Sequence, residues 1–237
     1  MNKVAVITGG SKGIGLGIAH ALLEIGVNVA ITSRNQEEIE YIAATLDKSY
    51  EAEVLGLACD VRDLKAQEEM FQTVQEKWGS VDYVIANAGV GHFSPIDELS
   101  AEQWSQTIDI NLTGVFNTTK ASIPALKESE GYLITIASLA GTNFFANGAA
   151  YNASKFGLVG FTQAVMLDLR KYGIKVSTIM PGSVSTYFNN HTPNEEDAWK
   201  IQPEDIGKLV VDLIQMHPRT LPSKIEVRPS IPPSARK

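Results

Sequence analysis

Short β-branched runs alternate with longer stretches of helical periodicity along almost the whole of this chain. A strand followed by a helix and then another strand can rejoin the same sheet only in parallel, with the helix packed on one face. The strand candidates are residues 4–8, 28–33, 53–58, 81–86, 131–137, 175–180 and 224–227. Between them lie helix candidates at 14–25, 36–46, 64–78, 102–129, 151–171 and 203–216. Seven strands interleaved with helices predict a three-layer α/β fold, a doubly wound seven-stranded parallel sheet. No linker rich in Pro, Gly or Ser divides the 237 residues, so one domain spanning 1–237 is expected. Two interruptions, 138–150 and 183–202, follow strands and are longer than a connecting turn needs. In open α/β sheets ligands bind outside the carboxyl ends of the strands, so these stretches are the expected walls of a site.

The first strand runs into "TGGSKGIGLGIAHALLEIG", with glycines at 9, 10, 13, 15 and 17 ahead of an apolar helix. Glycines at a strand-to-helix turn let backbone approach a pyrophosphate, whose charge the helix N-terminus favours. This is the Rossmann arrangement for a dinucleotide, although a strict G-x-G-x-x-G fails because Ile18 holds its last position. Where NAD-binding proteins usually carry an acidic residue at the end of the second strand, this chain has "ITSRN". Ser33 and Arg34 stand there without a carboxylate, and Lys12 adds a cation in the glycine turn. A guanidinium suits a 2′-phosphate, so NADP(H) is expected over NAD(H). The plainer reading is two solvated surface charges.

Downstream, "YNASKFGLVGFTQAVMLDLRKYG" spaces Leu158, Phe161, Val165 and Leu169 as one buried helical stripe. Tyr151 and Lys155 then lie one turn apart on a common face. A free phenol, with pKa about 10, is a poor acid or base near neutrality. An ammonium ~4 Å away at an effective dielectric of ~20 would favour phenolate by on the order of 4 kcal/mol before desolvation, lowering the pKa by up to about 3 units. Alone, Y-x-x-x-K is common by chance and is better read as an ordinary helix face.

Taken together, "TGGSKGIG", "NAG" (87–89), Asn111 in "DINLTG", Ser138 in "ITIASLAG", "YNASK" and "PGSVST" (181–186) closely resemble the short-chain dehydrogenase/reductase family. Its glycine motif, TG-x-x-x-G-x-G, accounts for the failed generic fingerprint. The resemblance runs from residue 3 to about 227. It implies that Tyr151 is the general acid/base, that Lys155 lowers its pKa and holds the nicotinamide ribose, that Ser138 hydrogen-bonds the substrate oxygen, and that Asn111 fixes a water in a proton relay. It further implies cofactor contacts at Gly9, Ser11, Lys12, Gly13, Ile14, Gly15, Ser33, Arg34, Asp60, Val61, Asn87, Ala88, Gly89, Tyr151, Lys155, Pro181, Gly182, Val184 and Thr186. Family members commonly assemble as homotetramers or homodimers, and the Gly157 and Gly160 pair would allow close helix packing in such an assembly.

Composition narrows the partners. A formal charge of −7 with no basic run argues against nucleic acid. The run "VAVIT" is too short for a signal-peptide core, and no window approaches the ~20 apolar residues of a membrane span. A single cysteine, Cys59, reads as a buried strand residue in a reducing, cytoplasmic setting. Four scattered histidines, at 20, 92, 191 and 217, offer no metal-ligand spacing. Phe93, Phe144, Phe145, Tyr187 and Phe188 read either as apolar walls for a ketone or as core and subunit contact. The chain ends "SKIEVRPSIPPSARK", as some carbonyl reductases of the family do, and lacks the Asp-Gly-Gly segment of many 3-oxoacyl reductases. The expectation is an NADP(H)-dependent enzyme reducing a carbonyl to a secondary alcohol, with a substrate loop at about 183–202. A 3-oxoacyl thioester reductase is the alternative enzyme, and a non-catalytic dinucleotide sensor the alternative class.

Overall fold

The computed structural model describes residues 2–235. Its strands are β1 (Val4–Thr8), β2 (Asn28–Ser33), β3 (Val54–Ala58), β4 (Tyr83–Ala86), β5 (Tyr132–Ile136), β6 (Lys175–Pro181) and β7 (Lys224–Val227). They form one parallel sheet in the order β3-β2-β1-β4-β5-β6-β7. The helices are α1 (Gly13–Glu24), α2 (Gln36–Asp47), α3 (Leu64–Trp78), α4 (Ala101–Ile108), α5 (Gly114–Ser129), α6 (Ala149–Leu169) and α7 (Pro203–Gln215). Successive strand residues face opposite sides of a sheet, and the core divides accordingly. Ala5, Ile7, Ile31, Ile134 and Ile179 join α1, α2 and α7 on one face. Val4, Val6, Val84, Leu133 and Val176 join α3, α5 and α6 on the other. Burial on both faces is why these strands read as continuous apolar runs.

Two details depart from the sequence reading. The helix expected over 102–129 is interrupted by a π turn at Asp109–Thr113. One extra residue is accommodated there, which rotates Asn111 inward while the apolar pattern continues on either side. Cys59 is buried as expected but lies just beyond the end of β3. The strand order reverses at β1, whose carboxyl end adjoins that of β4, and this switch point opens the crevice that holds the site.

Candidate active site

The glycine turn is built around close backbone contacts. Gly9 and Gly13 have φ of +65° and +58°, a region that costs glycine nothing. A Cβ on Gly15 would stand 2.3 Å from the Gly9 carbonyl oxygen. No side chain caps α1, so its first N–H groups face the turn without a side-chain acceptor. Ser11 is buried beneath the turn, whereas Lys12 is exposed beside it, and Gly13 approaches the Thr186 methyl at 3.3 Å from its would-be Cβ.

Thr8, which sequence reasoning missed, ties this turn to the "NAG" segment. Its Oγ1 accepts hydrogen bonds from the Asn87 and Ala88 amides at 3.1 Å each. The Asn87 amide donates to the Thr8 and Gly9 carbonyls at 2.9 and 3.0 Å. A threonine at a strand end carries no signal beyond β propensity, so only the fold reveals the role.

At the outer end of the crevice Arg34 is exposed beyond Ser33, whose hydroxyl donates to the Asn35 carbonyl at 3.1 Å. The neighbouring Asp60 receives Arg62 through two nitrogens, at 2.6 and 3.0 Å, and Arg62 foremost, with Arg34 adding to it, holds its carboxyl below the usual range. Asn117 and Gln67, also unremarked in the sequence, donate to the Val61 carbonyl at 3.0 Å and fix the loop between β3 and α3.

The other end carries the titratable groups. Lys155 is 5% exposed and donates to the Ile136 carbonyl at 3.1 Å, and its Nζ lies 5.7 Å from the centre of the Tyr151 ring. Gly89 separates it from Asn111, with a would-be Cβ 3.4 Å from the Asn111 Oδ1 and 3.8 Å from the Lys155 Nζ. Asn111 is wholly buried. Its Oδ1 accepts from the Val90 amide at 2.8 Å, and its Nδ2 donates to the Val90 carbonyl and the Ser154 hydroxyl at 2.9 and 3.1 Å. The side chain thus clamps "NAGV" to α6, and its Oδ1, with one bond made, keeps a second lone pair.

Ser138 sits where β5 ends. Its Oγ accepts from the Ala140 amide at 3.1 Å and makes a long contact of 3.5 Å to the Pro181 carbonyl. Asn152, between Tyr151 and Lys155, donates to the Ala140 and Asn143 carbonyls at 2.8 Å each and so holds the loop after Ser138. Gly182 bonds through its amide to the Val227 carbonyl at 2.8 Å, and Val184 forms a parallel bridge with Ile201.

Against the expected depression, burial pushes the Tyr151 phenol above its ordinary value, opposed by a hydrogen bond from Ser138. Lys155 is itself lowered to about 8 by desolvation, its hydrogen bond directed at Ile136 rather than at the phenol. Spacing on a helix correctly placed both groups on one face but did not reveal how thoroughly that face is buried.

The aromatic residues around the mouth separate into kinds. Phe93 and Phe188 close on Tyr151 with ring centres 5.3 and 5.7 Å away, and Phe145 meets Phe93 at 5.7 Å. Phe144 and Tyr187 are 86% and 55% exposed, and none of the five is in the core. His92 pairs with Gln106 at 2.7 Å outside this cluster.

A dinucleotide crevice ending in a Ser, Tyr and Lys cluster defines a class, and comparisons give it a family. The short chain dehydrogenase family model matches residues 3–197. An uncharacterized oxidoreductase of Staphylococcus aureus is 33% identical over 229 residues, covering 96% of this chain and 97% of that protein. An alcohol dehydrogenase from the archaeon Thermococcus sibiricus, solved with 5-hydroxy-NADP, matches with a TM-score of 0.92 at 30% identity, covering 100% of this chain and 99% of the other. A metagenomic short-chain oxidoreductase solved with NADP matches with a TM-score of 0.83 at 33% identity, covering 97% and 98%. The chain belongs to the short-chain dehydrogenase family. Among the described residues no helix is long and apolar enough to cross a membrane.

Proposed function

We propose that this protein is an NADP(H)-dependent carbonyl reductase that also runs in reverse as an alcohol dehydrogenase. The observation that carries the reading is the convergence of Ser138, Tyr151 and Lys155 at the carboxyl edge of the sheet, beside an uncapped α1 N-terminus. The residues fit the cofactor: the glycine turn leaves room and free N–H groups for a pyrophosphate, and Lys12 and Arg34 supply exposed cations for a 2′-phosphate. Two structural relatives solved with NADP-type ligands support that choice. Asp60, Val61 and Asn87 to Gly89 would line the adenine and ribose, and Pro181, Gly182, Val184 and Thr186 the nicotinamide end.

Bound there, the nicotinamide would supply a hydride to the carbonyl carbon. Tyr151, kept protonated by burial, gives its phenolic proton to the carbonyl oxygen as the C=O bond becomes C–OH. Ser138 exchanges its weak contact with Pro181 for a bond to the same oxygen, where charge develops. Lys155, lowered to about 8, can carry or release a proton near neutrality and can replenish the phenol. Residues 183–202 form the substrate loop. A homodimer or homotetramer is supported by apolar side chains exposed on α4 to α6, including Trp104, Phe116, Phe156 and Leu167.

The test is NADPH and NADH oxidation against ketones, β-keto esters, diketones, quinones and acyl thioesters, with Tyr151→Phe beside wild type. Loss of turnover in Tyr151→Phe is expected, and unchanged turnover would remove the mechanism. Turnover confined to acyl thioesters would favour the 3-oxoacyl reductase, and none with any carbonyl would favour the sensor. Arg34→Asp should shift preference toward NADH, and a wild type that already prefers NADH refutes the cofactor assignment.

A further inference from the structure

Between β6 and α7 the chain makes a closed loop. Its ends are zipped by the Ser185 amide bonding to the Ile201 carbonyl at 2.9 Å and the Ile201 amide to the Ser183 carbonyl at 3.1 Å. At its tip, Phe188 opens a single turn, Phe188–Asn190, in which Asn189 and Asn190 take φ of +56° and +59°. Asparagine tolerates this left-handed region better than most residues, but two in succession need an external restraint.

That restraint is Asp197. Its carboxylate is only 6% exposed. One oxygen takes Lys200 Nζ at 2.5 Å, and the other takes the Ser185 hydroxyl at 3.1 Å together with the His191 Nε2. Gln202 donates to the Asp197 carbonyl at 3.3 Å. Ser185 lies three residues before Phe188 and His191 three after it, so one buried charge holds both sides of the turn that carries the ring. The floor is cut to receive it: a Cβ on Gly91 would stand 2.5 Å from the Phe188 Cζ.

We propose that Phe188 is a specificity-determining wall of the substrate site, selecting carbonyls with a flat apolar substituent, and that Asp197 is the positioning residue that holds it there. This rests on the reading of Tyr151 as the acid/base. Phe93 and Phe188 touch each other, with ring centres 6.2 Å apart, and both abut the Tyr151 ring, so an aryl group packs against their exposed faces and brings its carbonyl oxygen toward the phenol and Ser138. A small aliphatic ketone gains no such contact.

The experiment compares acetophenone with acetone as NADPH-dependent substrates for wild type, Phe188→Ala, Asp197→Asn and Tyr151→Phe, and follows chymotryptic cleavage after Tyr187 and Phe188. Phe188→Ala should lower the acetophenone to acetone ratio of kcat/KM about tenfold, the equivalent of about 1.4 kcal/mol, chiefly through KM. Asp197→Asn should speed cleavage severalfold and move the ratio in the same direction with acetone kcat/KM preserved, a selective change that a merely structural role would not produce. An unchanged ratio in Phe188→Ala, with Tyr151→Phe inactive, overturns the specificity assignment alone. An unchanged ratio and cleavage rate in Asp197→Asn overturns the positioning role. Full activity in Tyr151→Phe, or no turnover of either ketone by wild type, overturns the proposed function and the specificity assignment with it, while cleavage still decides the clasp.

Discussion

Replacing Lys155 with methionine should make the protein more stable while destroying its activity. The ammonium is 5% exposed and makes one hydrogen bond, to the Ile136 carbonyl, and desolvation brings it from 10.5 to about 8. At 1.36 kcal/mol per pH unit that displacement costs the folded state on the order of 3 kcal/mol at pH 7. Methionine fills a similar volume without charge, but leaves the Ile136 carbonyl without its lysine donor, which takes back about 1–2 kcal/mol. The net gain is about 1–2 kcal/mol, or roughly 2–8 °C in Tm for a chain of this size. The pH dependence fixes the cause. Below about pH 8 the folded and unfolded chains both bind the proton, and the whole penalty is present. Between there and 10.5 the unfolded chain binds more protons, so the wild-type stability from this group rises with pH. Above 10.5 both states are neutral and the penalty is gone. Thermal melts of both proteins at pH 7 and near pH 10 measure the difference, other groups cancelling between them. A variant no more stable than wild type at pH 7, or an advantage that fails to shrink by pH 10, refutes the reasoning.

Three further outcomes follow from other parts of the structure. Gly15→Ala would drive a Cβ to 2.3 Å from a backbone carbonyl that cannot rotate away, so NADPH affinity, read by cofactor fluorescence, should fall; the expected loss is at least about tenfold, or ~1.4 kcal/mol. Tyr132→Phe deletes a buried hydroxyl bonded to Ser177 at 2.6 Å, which Pro222 also engages through its carbonyl; stability should drop by about 1 kcal/mol, seen as ~2–4 °C in a melt. Burial pushes the Cys59 thiol up to about 11, so a disulfide-exchange reagent at pH 8 should leave the native protein unmodified and titrate one thiol after denaturation.

The alternation of strands and helices was legible because both faces of the sheet are covered, so the central strands are largely apolar runs and the helices between them are longer and periodic. The π turn at Asp109–Thr113 was not, because the apolar spacing of a long helix survives one inserted residue at the resolution of a sequence pattern. At the site, residue types announced themselves and their environments did not. Lys155 and Tyr151 share a face by helical geometry alone, yet the lysine's partner is a carbonyl on β5, 19 residues away, and the phenol's burial comes from Phe93 and Phe188 on two separate loops. Thr8 meets Asn87 across 79 residues. Asp197 carries no signal of its own in the sequence, and only the return of the loop onto Ser185 shows that its charge is buried and committed. A pKa is set by what surrounds a group, and here that surround is assembled from strands and loops distant in sequence. For this reason the short motifs could single out Tyr151 and Lys155 and still misjudge the direction in which burial moves the phenol.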